Sequence, residues 1–251
     1  ALFNSIGGGA GIYLVADRGS ERDGYPLNAM VVNAELYEKG EVRSLQDLKG
    51  RKVGLTTLGS TYHYQLGRLF ELEGMSLDDV EVVPLRTMGI VIDSLKQGTI
   101  AAAILSPPWG SAAEVEGWGK RLFWASEKMS YQTTGVFYSE RLVKRDRDLG
   151  LRFMKGYLRG VQHYFDAVFR QGEGPAYEEV LQIVADYTQT DRESVAHSLT
   201  YIDPLGRVDT EDLMIQQDWY KRQGMIERIV PVEEFVDMSF VEEAARALGL
   251  Q

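Results

Sequence analysis

The stretch best equipped for chemistry is residues 45–66, LQDLKGRKVGLTTLGSTYHYQL. Thr57, Gly59, Ser60, Thr61 and Tyr62 lie at its centre. They follow a short apolar run over 52–56 and precede apolar positions at Tyr62, Leu66, Leu69 and Leu72. That order predicts a buried strand, a small-residue loop, and a helix over 62–73 with Gly74 as its stop. Such a loop leaves backbone N–H groups at the start of a helix without partners. Together with the helix dipole, those donors attract an anion or a polar oxygen. A sulfonate, carboxylate, nitrate or phosphate oxygen suits them. The same residues also make a plain strand–helix connection with Ser60 or Thr61 as N-cap. The loop is not a P-loop, because no Gly-Lys-Ser/Thr follows it, and it is not GxGxxG.

Other segment ends supply further candidates. Pro107, Pro108 and Trp109 break an apolar strand over 100–105. Trp109 can stack on an apolar or planar ligand body, and it can equally pack against its own domain. Tyr131, Gln132, Thr133 and Thr134 form a later crossing, where a side chain reaches a binding cleft from the hinge or is simply exposed on a strand. Asn4 and Met88 are weaker candidates, Met88 having packing as its ordinary role.

The residues needed for catalysis are not grouped. His63, His163 and His197 stand at no i, i+4 spacing, and HExxH and GxSxG are absent. The chain has no cysteine, which excludes disulfides, thiolate catalysis and Cys-ligated zinc. Acidic pairs such as Asp78-Asp79, Glu178-Glu179 and Glu242-Glu243 read as solvated charge on turns and polar helix faces. No enzyme activity, cofactor or metal is expected.

The elements that must position these residues follow from periodicity. Strands over 12–16, 27–33, 52–56, 80–85, 100–105 and 121–125 alternate with short helices, and residues 19–24 read as a polar loop. Alternation of this kind predicts βαβ units and a mostly parallel sheet. After Tyr131 one strand over 133–138 leads into a largely helical remainder. Its long helix over 146–170 presents Leu149, Phe153, Tyr157, Val161, Phe165 and Val168. A helix from Pro175 presents Val180, Ile183, Val184 and Tyr187. Residues 1–6 read as the end of an opening helix. The expectation is an α/β chain of two lobes. Residues 1–35 with 131–251 form a discontinuous lobe I, and residues 36–130 form lobe II. Hinges fall near 33–36 and 130–135. Ligands of open α/β sheets bind beyond the carboxyl ends of the strands, here in the cleft between the lobes. The net charge of −10 argues against a nucleic-acid partner. No run approaches the roughly 20 apolar residues of a membrane helix.

The segments DLKGRKVGLTTLGSTYHYQLGRLFELEGMSLDDVEVVPL, LKQGTIAAAILSPPW and TTGVFYSERLV carry a family resemblance. They resemble the substrate-binding proteins of ABC importers for nitrate, taurine and aliphatic sulfonates. That group includes the THI5-like pyrimidine-binding and pyrimidine-making proteins. The resemblance implies a bilobal, type II periplasmic-binding-protein-like fold with a helical C-terminal part. It implies a small-molecule solute, an ABC permease and ATPase as partners, and a periplasmic or membrane-anchored extracellular location. The expected solute is a small organic anion, sulfonate-, taurine- or nitrate-like. The alternatives are a pyrimidine or thiamine precursor, or a THI5-like pyrimidine-synthesis enzyme. Many relatives carry Glu-Pro where this chain has Ser106-Pro107-Pro108, which tilts away from ligands bearing an ammonium group. Against the same pattern the chain starts part-way through the first lobe, so its N-terminal part is expected to be missing, together with any signal or lipid anchor.

Overall fold

The computed structural model describes residues 2–250, so Ala1 of the expected opening helix lies outside them, as does Gln251. The strands are β1 (Ile12–Glu21), β2 (Ala29–Asn33), β3 (Lys52–Leu55), β4 (Glu81–Pro84), β5 (Ala102–Leu105), β6 (Gly119–Trp124) and β7 (Tyr131–Ser139). The chain divides into two compact units. Unit 1 is Ala1–Ser20, Tyr131–Arg192 and Leu199–Gln251. Unit 2 is Glu21–Ser130 and Glu193–Ser198.

Unit 2 is built on a five-stranded sheet in the order β4-β3-β5-β2-β6. β3 is parallel to both β4 and β5, whereas β2 is antiparallel to both β5 and β6. The α/β class is as expected, but the sheet is mixed rather than mostly parallel. The alternation of side chains along β2 and β5 explains why both faces are covered. Met30, Val32, Ala102 and Ile104 pack on one face with Leu66, Leu69 and Phe70 of helix Thr61–Leu72. Ala29, Val31, Ala103 and Leu105 pack on the other with Val91, Ile92 and Leu95 of helix Met88–Lys96. Leu72, expected on the inner face, is exposed, and Phe70 takes the core position instead. β2 lies between β5 and β6, so the strand expected in the first lobe belongs to this sheet. The division between units falls at Ser20/Glu21 instead of near 33–36.

Unit 1 pairs β1 with β7. β1 runs through Gly19, Ser20 and Glu21, which the sequence reading placed in a polar loop. The long helix, Arg147–Phe165, continues as a π-helical stretch to Gln171. Its buried face is Gly150, Met154, Leu158 and Val161. Of the expected face Val161 is buried and Tyr157 packs partly against the unit 1 core, whereas Leu149 is 49% and Phe153 57% exposed, their neighbours Gly150 and Met154 taking the inner positions. Gly150 sets the rotation, because a Cβ there would stand 2.7 Å from Phe240 Cε1. The helix therefore approaches Phe240 closely, and Val15, Ala16, Tyr138, Val241 and Ala244 complete this core. Helix Pro175–Thr188 likewise buries Val180, Leu181 and Ala185, not Ile183 and Tyr187.

Candidate binding site

The parallel strands β3, β4 and β5 open their carboxyl ends at one edge of the unit 2 sheet. Three helices start there: Thr61–Leu72, Met88–Lys96 and Trp109–Val115. Eight of the candidates fall at this edge: Thr57, Gly59, Ser60, Thr61, Tyr62, Met88, Pro108 and Trp109. The register Ala29↔Leu105 and Ala29↔Trp124 brings the start of β2 and the end of β6 to the same edge. Asn4, Tyr131 and Thr133 belong to unit 1.

The loop after β3 uses its polar groups in a definite order. The Ser60 amide donates to Thr57 O at 3.2 Å, closing a turn. Gly59 adopts φ +75°, a left-handed conformation that a glycine takes without strain. Its amide donates to His63 Nδ1 at 3.0 Å. Ser60 is the N-cap, its Oγ accepting from the His63 amide at 3.3 Å. The first two helical amides, those of Thr61 and Tyr62, have no acceptor among the described residues. The Gly59, Ser60 and His63 amides are thus engaged within the loop, and the two between them, Thr61 and Tyr62, are not. Burial holds the His63 imidazole below the ordinary histidine pKa, so it is neutral. With Nδ1 accepting, its proton is on Nε2.

The rim of this edge mixes the exposed polar residues Thr61, Arg86 and Thr87 with large apolar ones. Leu58 is 53%, Ile90 47% and Trp109 40% exposed. Tyr62 and Met88 pack partly against the two cores, and Pro108 occupies the N-cap position of the Trp109 helix. Glu21, which the sequence reading missed, holds the segment that leads into β2. It is fully buried and accepts from the amides of Leu27 (3.1 Å) and Asn28 (3.2 and 3.3 Å) and from Asn28 Nδ2 (3.0 Å). A backbone bond from Ser126 joins them, yet burial outweighs all of these and raises its pKa to about 7. Gln65, in the second turn of the Thr61 helix, was also missed. It is wholly buried, and neither its Oε1 nor its Nε2 has a partner.

The unit 1 candidates have other duties. Tyr131 is fully buried. The Thr133 hydroxyl donates to Gly19 O at 2.5 Å, and Asn4 Nδ2 donates to Met225 O at 3.0 Å. Between Tyr131 and Thr133, Gln132 joins a buried network. Its Nε2 donates to Asp17 Oδ1, Gly19 O and Thr134 O, and its Oε1 accepts from the Asp209 amide. Its own amide donates to Asp212 Oδ2 at 2.7 Å. Among the described residues no cluster of three or more His, Asp or Glu could hold a metal, and no helix is long and apolar enough to cross a membrane.

A family model described as NMT1/THI5 like matches residues 26–167, more than half of the chain. The chain belongs to the NMT1/THI5-like family. No curated protein matches it. Solved structures share its fold at low identity. The periplasmic aliphatic sulphonate binding protein SsuA from Escherichia coli superimposes with TM-score 0.71 at 20% identity, over 96% of this chain and 78% of that one. A zinc-bound ligand-binding component of an ABC-type import system from Staphylococcus aureus gives TM-score 0.73 at 15% identity, over 97% and 78%. The desulfurization enzyme DSZB gives 0.64 at 15%, over 95% and 80%. The periplasmic-binding-protein fold expected for an NMT1/THI5-like chain is therefore present, and at least one protein on this fold is an enzyme.

Proposed function

We propose that this chain is the solute-binding component of an ABC importer and captures a small organic anion, with a sulfonate as the first candidate. In this reading the two units are the lobes of the binding protein. A permease and an ATPase are its partners, and it works in the periplasm or tethered outside the cell. The observation that carries the reading is the pair of Thr61 and Tyr62 amides, open at a helix start where three strand ends meet. Amides at a helix N-terminus stabilise negative charge without an opposing side chain. The exposed Leu58, Ile90 and Trp109 beside them favour an anion with an apolar body over bare nitrate. The NMT1/THI5-like family and the fold shared with a sulphonate-binding protein support the same class.

Thr61→Pro tests the reading directly. Proline removes the Thr61 N–H but suits the first helical position, and Ser60 before it is already extended (φ −77°, ψ 170°). Calorimetry with a panel of alkanesulfonates, taurine, nitrate and pyrimidines is expected to show sulfonate binding by the wild type. The variant should bind about tenfold more weakly or worse, with its melting temperature held. A wild type that binds no anion sinks the proposal. Binding of a pyrimidine instead moves the chain to a thiamine-precursor role. An enzymatic reading, kept open by the fold of DSZB, requires turnover of a bound ligand.

A further inference from the structure

We propose that His63 is a positioning residue of this site, its imidazole Nδ1 holding the Gly59 amide so that the Thr61 and Tyr62 amides stay turned to the ligand. The inference rests on the anion-binding reading above. His63 occupies the third helical position, where a capping box ordinarily has Glu or Gln reaching back to the N-cap amide. Here the N-cap amide of Ser60 is already bonded to Thr57 O, and the acceptor reaches one residue further back, to Gly59. The result is a capping box displaced by one residue. Its backbone half, the His63 amide donating to Ser60 Oγ, is the ordinary one.

The choice of histidine has a physical consequence. A glutamate at this position would satisfy a backbone donor and favour the helix dipole, but it would set a negative charge within one turn of the anion. A neutral imidazole accepts the same kind of bond with no charge. His63 is 4% exposed, and burial favours that neutral form. The loop is thereby locked without repelling what it binds. A histidine serving only to complete the loop would make the same bond, so ligand affinity is the readout that separates the two roles.

Three substitutions separate the roles. His63→Asn and His63→Asp each put an oxygen where Nδ1 stands, and they differ by one charge. His63→Leu has nearly the same shape and no acceptor. The probe is ethanesulfonate, titrated by calorimetry at pH 8. The Asn variant is expected to bind within about threefold of wild type, the Leu variant about tenfold more weakly, and the Asp variant weakest of all. A second readout needs no ligand. The Gly59 amide proton should resonate downfield in wild type and Asn, and move upfield in Leu. Ring 15N shifts should report the Nε2–H tautomer of His63. Equal binding by Asn and Leu, or by Asn and Asp, overturns the proposal, as does an unmoved Gly59 resonance in Leu. If wild type binds no anion while the Gly59 resonance behaves as stated, the anion reading fails and the loop lock stands.

Discussion

Two clusters of polar groups among the described residues are finished differently. Around Gln132 in unit 1, amide, carboxylate and hydroxyl groups answer one another. Gln132 alone makes bonds to Asp17, Gly19, Thr134, Asp209 and Asp212, and Gln216 Nε2 donates to both Gln132 O and Asp212 Oδ2. At the strand-end edge of unit 2, the loop satisfies itself only as far as Ser60 and leaves the next two amides open. Buried polar groups in the first cluster have closed partners and so fix backbone register. The second cluster keeps donors in reserve, which is what a ligand site requires. Polar composition alone would rank the two equally.

The largest effect that could break this comparison is in unit 1. Gln132→Ala takes from buried Asp17 one of its two side-chain donors, Ser20 Oγ being the other, and removes the acceptor of the Asp209 amide and the partner of Gly19 O and Thr134 O. A loss of about 3 kcal/mol or more is expected from urea unfolding, because each stranded buried group costs about 1–3 kcal/mol. A loss under about 1 kcal/mol would mean that the network is no scaffold.

Next comes Glu21, whose carboxylate accepts from the segment leading into β2. Its folded pKa of about 7 exceeds the ordinary 4.5, so burial favours the protonated form. Its stabilising contribution is fully present below pH 4.5 and is lost as pH rises through about 7. Glu21→Gln is neutral throughout. Its stability relative to wild type should therefore grow by about 2–3 kcal/mol between pH 4 and pH 8, read from urea midpoints at each pH. A difference that stays flat would show the carboxylate to be as well answered as the groups around Gln132, and the contrast between the regions would weaken.

How much of this could be read in advance depended on distance along the chain. The strand, loop and helix over 52–72 were legible because every signal there is local: an apolar run, a glycine turn, a serine cap. β5 was legible for the same reason, its Ala102–Leu105 being apolar and wholly buried. The placement of β2 was not, since the choice between lobes is made by pairing with Ala102–Leu105 some seventy residues on. Glu21 looked like loop because an acidic residue in a strand reads as a terminator, and only its bonds to Leu27, Asn28 and Ser126 show why it is tolerated. The Arg147 helix has apolar residues on two adjacent faces. The buried one passes through Gly150, which apolar periodicity counts as a blank although its missing side chain admits Phe240. His63 and Gln65 sat in a correctly drawn helix, but nothing in their types announced an acceptor turned back on Gly59 or an unanswered amide.

Gln65 gives the smallest and sharpest test. Its carboxamide is buried without partners in the second turn of the helix whose first two amides are open. An unanswered buried amide costs stability, and an unbranched apolar side chain of the same length removes that cost. Gln65→Met should therefore raise the unfolding free energy by about 1–2 kcal/mol. Sulfonate affinity measured on the same variant then decides which cluster Gln65 resembles. Unchanged affinity makes it a core residue that carries a polar group to no effect. Weakened affinity with raised stability makes it part of the reserve held at the Thr61 edge, because natural sites trade stability for function in that way. Lowered stability would show instead that the amide is answered by an ordered water. Gln65 would then join the closed type of cluster seen around Gln132, and only the Thr61 and Tyr62 amides would distinguish the site.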